Sequence, residues 1–179
     1  SRNYVNPYSK MEDKHKVIFV HIPKNAGNGI AKSLFAMEPK GHNYLTHYKS
    51  YNNQKFETYF KFALSRNVWS RFYSAYSYLK KGGFGVYDKE FANKDLSDTE
   101  NFKEFVYSLE DHALAKKIIT WCHFIPQEKF LCIDGEIGVD YLGSVENMDE
   151  TIYYLSKIFK FKSVENKIIN SSGSDCFRK

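Results

Sequence analysis

The sequence predicts an α/β domain with a mainly parallel central sheet flanked by helices. Short runs of β-branched and aromatic residues alternate along the chain with longer segments that have helical spacing. A glycine-containing turn joins the first such run to the first helical segment, which is the opening of a βα unit. The chain of 179 residues is long enough for one domain with its own core, and its even patterning argues against a second one.

Four runs have the length and composition of buried strands, and five segments have helical spacing or a helix-capping pattern. Strands are predicted at residues 17–20, 60–64, 130–133 and 141–145. Helices are predicted at residues 30–37, 68–81, 97–109, 113–121 and 147–159, the third opened by the capping box Ser97-x-x-Glu100. Residues 1–15 are expected to form a polar N-terminal arm before a domain of residues 16–179. Residues 84–98 are expected to form a loop, and residues 38–58 have no clear pattern.

The composition is that of an ordinary globular protein, with 42% hydrophobic and 26% charged residues. The net charge of +5 favours an anionic ligand, without choosing between a nucleotide, a sulfated sugar, RNA and an acidic lipid. No run approaches the ~20 apolar residues that cross a membrane, so we expect no membrane segment in this chain. No signal-peptide pattern opens the chain, and a cytoplasmic location is the default expectation, although an anchor removed from a longer chain would leave no trace.

The cysteine pattern gives no sign of a metal site. Cys122, Cys132 and Cys176 form no Cys-x-x-Cys pair, and Cys122-His123 has no second cluster at zinc spacing. We therefore expect free thiols and no metal.

The first informative motif spans residues 17–30, where the predicted strand leads through Lys24 and Gly27 into a helix. Such a turn directs several backbone N–H groups, together with the positive end of the helix dipole, to one point. Lys24 adds a full positive charge, so the segment predicts a site for a phosphate or phosphosulfate. It is not the loop of ATPases, because there the lysine follows the glycines.

The second motif follows the second predicted strand. Arg66 lies where that strand ends, and Ser74 lies about two turns into the next helix. A strand-end arginine and a serine on a helix face can converge on one phosphate, and the planar guanidinium suits paired bonds to phosphate oxygens.

These two motifs resemble those of sulfotransferases that use 3′-phosphoadenosine 5′-phosphosulfate (PAPS), in particular the carbohydrate sulfotransferase branch. The matches to the phosphosulfate loop are Pro23, Lys24, Ala26 and Gly27, and the matches to the 3′-phosphate motif are Arg66, Asn67, Arg71, Ser74 and Tyr76. The departures are Asn25, Asn28 and Gly29 in the loop and Val68 in place of a proline. Weaker resemblance extends over residues 17–172, and residues 170–172 resemble a segment that closes over the nucleotide.

The resemblance implies a P-loop-like sulfotransferase fold and transfer of a sulfuryl group from PAPS to a hydroxyl, with an amine less favoured. By analogy the acceptor is a carbohydrate or another hydroxyl compound, with no nucleic acid and no metal involved. The residues implied in cofactor binding are Pro23, Lys24, Asn25, Ala26, Gly27, Asn28, Gly29, Arg66 and Ser74. The implied catalytic residues are Lys24, which stabilises charge on the leaving phosphate, and a histidine base between the two motifs. His47 has the better spacing for the base, and His42 is the other candidate.

Three other interpretations stay open at this point. The departures at Asn28 and Gly29 would suit a catalytically impaired protein that still binds PAPS or its desulfated product. A kinase-like phosphotransferase is a second possibility, against which the order of lysine and glycines argues. A basic RNA-binding domain is the third, although the sequence contains no RNA-recognition motif.

Overall fold

The computed structural model describes residues 5–159. The segment at 170–172 and Cys176 lie outside the described residues.

A parallel sheet of three strands forms the centre of the molecule, in the order β1 (Val17–Val20), β2 (Phe60–Ser65) and β5 (Tyr141–Ser144). Val17 pairs with Phe60, and Phe62 pairs with Tyr141. The predicted α/β domain with a parallel sheet is thereby confirmed. Because the strands are parallel and in register, the loops that follow β1 and β2 leave the same edge of the sheet.

The remaining elements of residues 5–159 are ten helices and a small antiparallel pair of strands. The pair is β3 (Cys132–Ile133) with β4 (Glu136–Ile137). The helices are α1 (Lys10–His15), α2 (Gly27–Phe35), α3 (Leu45–Tyr51), α4 (Asn53–Thr58), α5 (Val68–Lys80), α6 (Gly85–Asp95), α7 (Phe102–Ser108), α8 (His112–Ile118), α9 (Gln127–Leu131) and α10 (Met148–Ile158).

The alternation of side chains along β1 divides the core into two layers. Ile18 and Val20 belong to a cluster with Leu45 of α3 and Phe130 of α9. Val17 and Phe19 belong to the opposite cluster, which includes side chains of α2 and α10. A third cluster joins α5 to α6, α7 and α8. The sheet is therefore covered on both faces, which explains why all four residues of β1 are buried.

Two predictions between residues 84 and 109 are wrong. The predicted loop contains α6, because the Asp88 carboxylate accepts the backbone N–H of Phe84 (2.9 Å) at the start of the helix and Phe91 is buried. The predicted capping box at Ser97 does not form. Asn101 instead caps α7 by accepting the Glu104 backbone N–H (3.1 Å), while the Ser97 hydroxyl donates to Asp98.

Two other segments differ in part from the prediction. Residues 130–133 were expected to be a strand, but α9 continues to Leu131, and only Cys132 and Ile133 are extended. Residues 38–58, which had no clear pattern, contain the short helices α3 and α4.

The N-terminal segment packs against the domain, where the sequence predicted a polar arm. Ser9 and Glu12 form a capping box that starts α1. Tyr8 and Met11 are buried, and the Tyr8 hydroxyl donates to the carbonyl of Tyr48 (3.1 Å). The largely polar composition of residues 1–15 did not indicate this packing, because the segment buries only two large apolar side chains, Tyr8 and Met11.

Met11→Ala is expected to lower the free energy of unfolding by about 2–5 kcal/mol, because Met11 is fully buried and its removal leaves a cavity. Lys14→Ala, an exposed position on the same helix, is the control and should change stability by less than about 0.5 kcal/mol. Urea unfolding of the two variants measures both values. Equal stability of Met11→Ala and the parent would show that α1 does not belong to the core.

Candidate active site

The loop between β1 and α2 holds its backbone in an unusual conformation. Lys24 (φ 67°) and Ala26 (φ 56°) both lie in the left-handed region, although neither is glycine. Each such residue costs on the order of 1 kcal/mol and persists only where its surroundings impose it. Left-handed residues in a tight turn point successive N–H groups into a concavity that suits an anion.

Asn25, between these two residues, fastens the loop to the sheet. Its side chain is buried, and Nδ2 donates to the carbonyl of Leu64 in β2 (2.6 Å) and to Oε1 of Gln127 (2.7 Å). The side-chain N–H groups of Asn25 thus tie the loop to the sheet, whereas its buried Oδ1 has no hydrogen-bond partner among the described residues.

The N-terminus of α2 is left open. Ala26 supplies no side-chain cap, and the first turn has no acidic residue. The N–H of Ile30 is bonded to the carbonyl of Ala26 (3.2 Å), so the N–H groups of the three preceding helical residues have no acceptor within the helix. Asn28 and Gly29 are exposed there, which leaves these donors and the positive end of the helix dipole open to an anion.

The two glycines of this turn differ in what they permit. A Cβ on Gly27 would lie 2.0 Å from Cδ2 of His21, so only glycine lets the loop pack against that ring. A Cβ on Gly29 would meet nothing within 4 Å. Gly29 is therefore not required for packing, and a small side chain would fit at this position.

Arg66 joins the second motif to the first. Its Nη1 donates to the carbonyl of Lys24 (2.8 Å), and its Nε donates to the hydroxyl of Ser70 (3.1 Å). Gln127 completes the link, since its Oε1 accepts the Arg66 backbone N–H (3.0 Å) and its Nε2 donates to the Arg66 carbonyl (2.8 Å). Gln127 thus contacts both motifs through one amide. The sequence gave no signal for this role of Gln127.

Arg71 is the most deeply buried cation at this edge of the sheet. Its Nε donates to the carbonyl of Pro23 (3.0 Å), whereas its Nη2 is buried without a hydrogen-bond partner among the described residues. Burial, followed by the positive charge of Arg66, lowers the pKa of Arg71 to about 10. A buried guanidinium N–H without an acceptor is costly, and a bound anion would satisfy it.

Ser74 lies on α5 one helical turn after Ser70 and three residues after Arg71, so the three share one side of the helix. It is half-buried. The convergence of Arg66 and Ser74 on one phosphate stays a prediction, with Arg71 lying between them along the chain.

Lys24 extends its ammonium over an aromatic ring of α5. Nζ lies 3.9 Å from the ring centroid of Tyr78. Burial, followed by the charge of Arg66, lowers the pKa of Lys24, while Asp88 acts in the opposite direction.

Of the two candidate bases, the structure brings His42 to the phosphate loop. Its Nδ1 lies 2.8 Å from the carbonyl oxygen of His21, and the two rings are 4.3 Å apart. Although His42 keeps an exposed edge, partial burial and the charges of Arg71 and Lys24 lower its pKa, and the bond to His21 offsets part of this effect. His47 lies in α3, which packs mainly on α4, α9 and β3.

His21 and His123 complete the surroundings of the loop. Burial, followed by the charge of His42, lowers the pKa of His21 to about 3, so this ring is neutral and acts as packing against Gly27. His123 lies 6.4 Å from His42, ring to ring, and its Nε2 lies 3.3 Å from the Asp88 carboxylate. The sequence gave no signal for Asp88, because it fell in a segment predicted to be a loop.

Residues 5–159 contain neither a membrane-spanning helix nor a metal-binding cluster. No helix in that range is long and apolar enough to cross a membrane. That range also contains no group of three or more His, Cys, Asp or Glu side chains arranged to hold a metal ion.

Comparison with known proteins identifies the family. The model of the sulfotransferase family matches residues 7–172, which is most of the chain. No curated protein and no solved structure matches it significantly. The matched range contains the loop around Lys24, the Arg66 motif and the parallel sheet from which both project. The chain therefore belongs to the sulfotransferase family, whose enzymes take a sulfuryl group from a sulfonate donor such as PAPS.

Proposed function

We propose that this sulfotransferase uses PAPS as its donor and sulfates a hydroxyl group of a carbohydrate acceptor. The observation that carries the proposal is that Arg66 and Arg71 donate to the carbonyls of Lys24 and Pro23, in the loop that leads into the open N-terminus of α2. A site with this excess of positive charge and free N–H donors suits a ligand with several negative charges.

The donor is expected to span the two motifs. Lys24 and the backbone N–H groups at Gly27, Asn28 and Gly29 would hold the phosphosulfate end. Arg66, Ser74 and the unpartnered Nη2 of Arg71 would hold the 3′-phosphate. PAPS supplies an activated sulfuryl group, and its transfer leaves a negative charge on the phosphate. Lys24, with the dipole of α2, would stabilise that charge. Pro23, whose carbonyl accepts from Arg71, contributes as a support of the loop.

His42 is the proposed general base. A proton on Nδ1, donated to the His21 carbonyl, leaves the lone pair of Nε2 free to accept the acceptor's proton. The lowered pKa keeps the ring neutral at neutral pH, as a base must be. His47 stays a prediction from sequence spacing, and its replacement by alanine is the matched comparison.

The carbohydrate acceptor is supported by the resemblance in the two motifs and by the surface near Asp88. Phe84 and Tyr87, at the start of α6, are 88% and 79% exposed. Flat exposed rings suit the apolar faces of sugar rings.

The direct test is a transfer assay with radiolabelled PAPS, no added magnesium and a panel of desulfated polysaccharides. Lys24→Ala is expected to lower turnover by about 100-fold or more, because it removes charge stabilisation in the transition state. Lys32→Ala, exposed on α2 just after the loop, is the control and should leave the rate unchanged. Binding of the donor product without transfer to any acceptor would favour the impaired binding protein, and transfer from ATP would favour a phosphotransferase.

Arg66→Ala is expected to weaken binding of 3′-phosphoadenosine 5′-phosphate by about 10–100-fold, because charge-assisted bonds to a phosphate are lost. The affinity for adenosine 5′-phosphate, which lacks the 3′-phosphate, should decrease much less in the same variant. Calorimetric titration of both nucleotides makes the comparison, with Lys103→Ala as the control for removal of a cation. Equal losses for both nucleotides would mean that Arg66 acts only by supporting the Lys24 carbonyl.

Gly29→Ser is expected to raise nucleotide affinity by about tenfold, because a hydroxyl fits there and can donate to the 5′-phosphate. Gly27→Ala should abolish binding, since its methyl group would displace the His21 ring. The same titration measures both changes. Unchanged binding in Gly27→Ala would remove this loop from the nucleotide site.

The pH dependence of kcat/KM should identify the base. Since the pKa of His42 is lowered, its ring stays neutral at pH values below the ordinary pKa of histidine, about 6.5. The acid limb of the profile, in which kcat/KM decreases, should therefore lie below about pH 6.5. His42→Ala should remove this limb and most of the activity. If His47→Ala has that effect while His42→Ala keeps the profile of the parent, the base is His47.

A further inference from the structure

Asp88, in the first turn of α6, is a buried carboxylate beside the phosphate loop that the proposed mechanism does not use. It is 7% exposed and accepts hydrogen bonds from three donors. The donors are the backbone N–H of Phe84 (2.9 Å), Nε1 of Trp121 (3.3 Å) and Nε2 of His123 (3.3 Å). So many donors are typical of a carboxylate that stays ionised.

A short chain of contacts connects Asp88 to Lys24. The His123 ring, whose Nε2 lies 3.3 Å from the Asp88 carboxylate, packs edge-on against the Tyr78 ring with 4.9 Å between the centroids. The Lys24 ammonium lies on the face of the same tyrosine ring, 3.9 Å from its centroid. Asp88 thus fixes the surface on which the lysine lies.

The turn before α6 is shaped around this carboxylate. Gly83 has φ +57°, and a Cβ there would lie 2.4 Å from the Cβ of Asp88. The glycine therefore allows the chain to close over Asp88 and bring it next to α5.

The other titratable groups near Lys24 do not supply the negative charge that Asp88 supplies. Arg66 and Arg71 are cations, and burial lowers the pKa values of His42 and His123, which favours their neutral forms. Burial, followed by the charge of Asp88, raises the pKa of Cys122 to about 11, so its thiol is neutral. Burial alone would raise the pKa of Asp88, but the bonds from Phe84, His123 and Tyr78 lower it overall.

We propose that Asp88 is a positioning residue for Lys24, holding Tyr78 under the ammonium and supplying the negative charge that keeps the amine cationic beside the loop. The inference rests on the proposed role of Lys24. A carboxylate with this role would offset the repulsion from the two arginines while the donor is absent.

Asp88→Asn separates this role from simple packing. The asparagine has the same shape and can still accept the Phe84 N–H, but it has no charge. Asp95→Asn is the matched control, because Asp95 ends the same helix, its side chain is similarly buried, and its ion pair is with the half-exposed Lys117. Both variants change the net charge by one.

The measurement is the pH titration of Lys24 in the full chain without nucleotide, by NMR of ¹³C-methylated lysines, with Lys24→Arg assigning the signal. In Asp88→Asn the midpoint should fall by about 1 pH unit, because a nearby opposite charge is lost. The Lys24 midpoint in Asp95→Asn should equal that of the parent. A midpoint in Asp88→Asn equal to that of the parent would overturn the proposal.

Tyr78→Phe provides a second test that survives if Asp88→Asn does not fold. It keeps the ring but removes the hydroxyl whose pKa is raised by burial and by the charge of Asp88, so the midpoint should fall in the same direction by a smaller amount. An unchanged midpoint there would refute the link through Tyr78. Since no nucleotide is used, failure of PAPS binding in the parent would refute the proposed function separately.

Discussion

The hydrogen bond from Arg66 to the carbonyl of Lys24 (2.8 Å) is the contact on which the arrangement of the site depends. It joins the loop after β1 to the end of β2, two strands that pair in parallel and therefore end at the same edge. Asn25 and Gln127 reinforce the junction through the carbonyl of Leu64 and the backbone of Arg66. One charged side chain thus serves both as a support of the loop and as part of the positive surface.

This junction concentrates positive charge at a cost to the fold. Lys24, Arg66 and Arg71 are all at least partly buried, and burial lowers the pKa of each. The left-handed backbone of Lys24 and Ala26 adds strain. Such costs are typical of a binding site prepared for its ligand, because the anion then finds its donors already oriented. Near Lys24, the negative charge of Asp88 offsets part of the effect of burial and of Arg66 on the lysine pKa.

The sequence predicted the strands of the central sheet well, and also the turns from β1 into α2 and from β2 into α5, because apolar β-branched runs and strand-to-helix turns depend on local pattern. It could not predict that Asn25 turns inward or that Arg71 is buried, since both outcomes depend on partners far along the chain. The loop expected at residues 84–98 was wrong because α6 starts after glycines and is held by tertiary contacts of Asp88 and Phe91. The choice between His42 and His47 likewise needed the position of the His21 carbonyl, which spacing does not reveal.

The central claim is that the Arg66 junction builds a site for a nucleotide with phosphates at both the 5′ and the 3′ positions. Calorimetric titration with 3′-phosphoadenosine 5′-phosphate, without magnesium and with adenosine 5′-phosphate as the comparison, tests it most directly. The account predicts binding that is at least about tenfold tighter when the 3′-phosphate is present, since each charge-assisted contact contributes more than a neutral one. Equal affinities for the two nucleotides, or no binding by the folded protein, would contradict it.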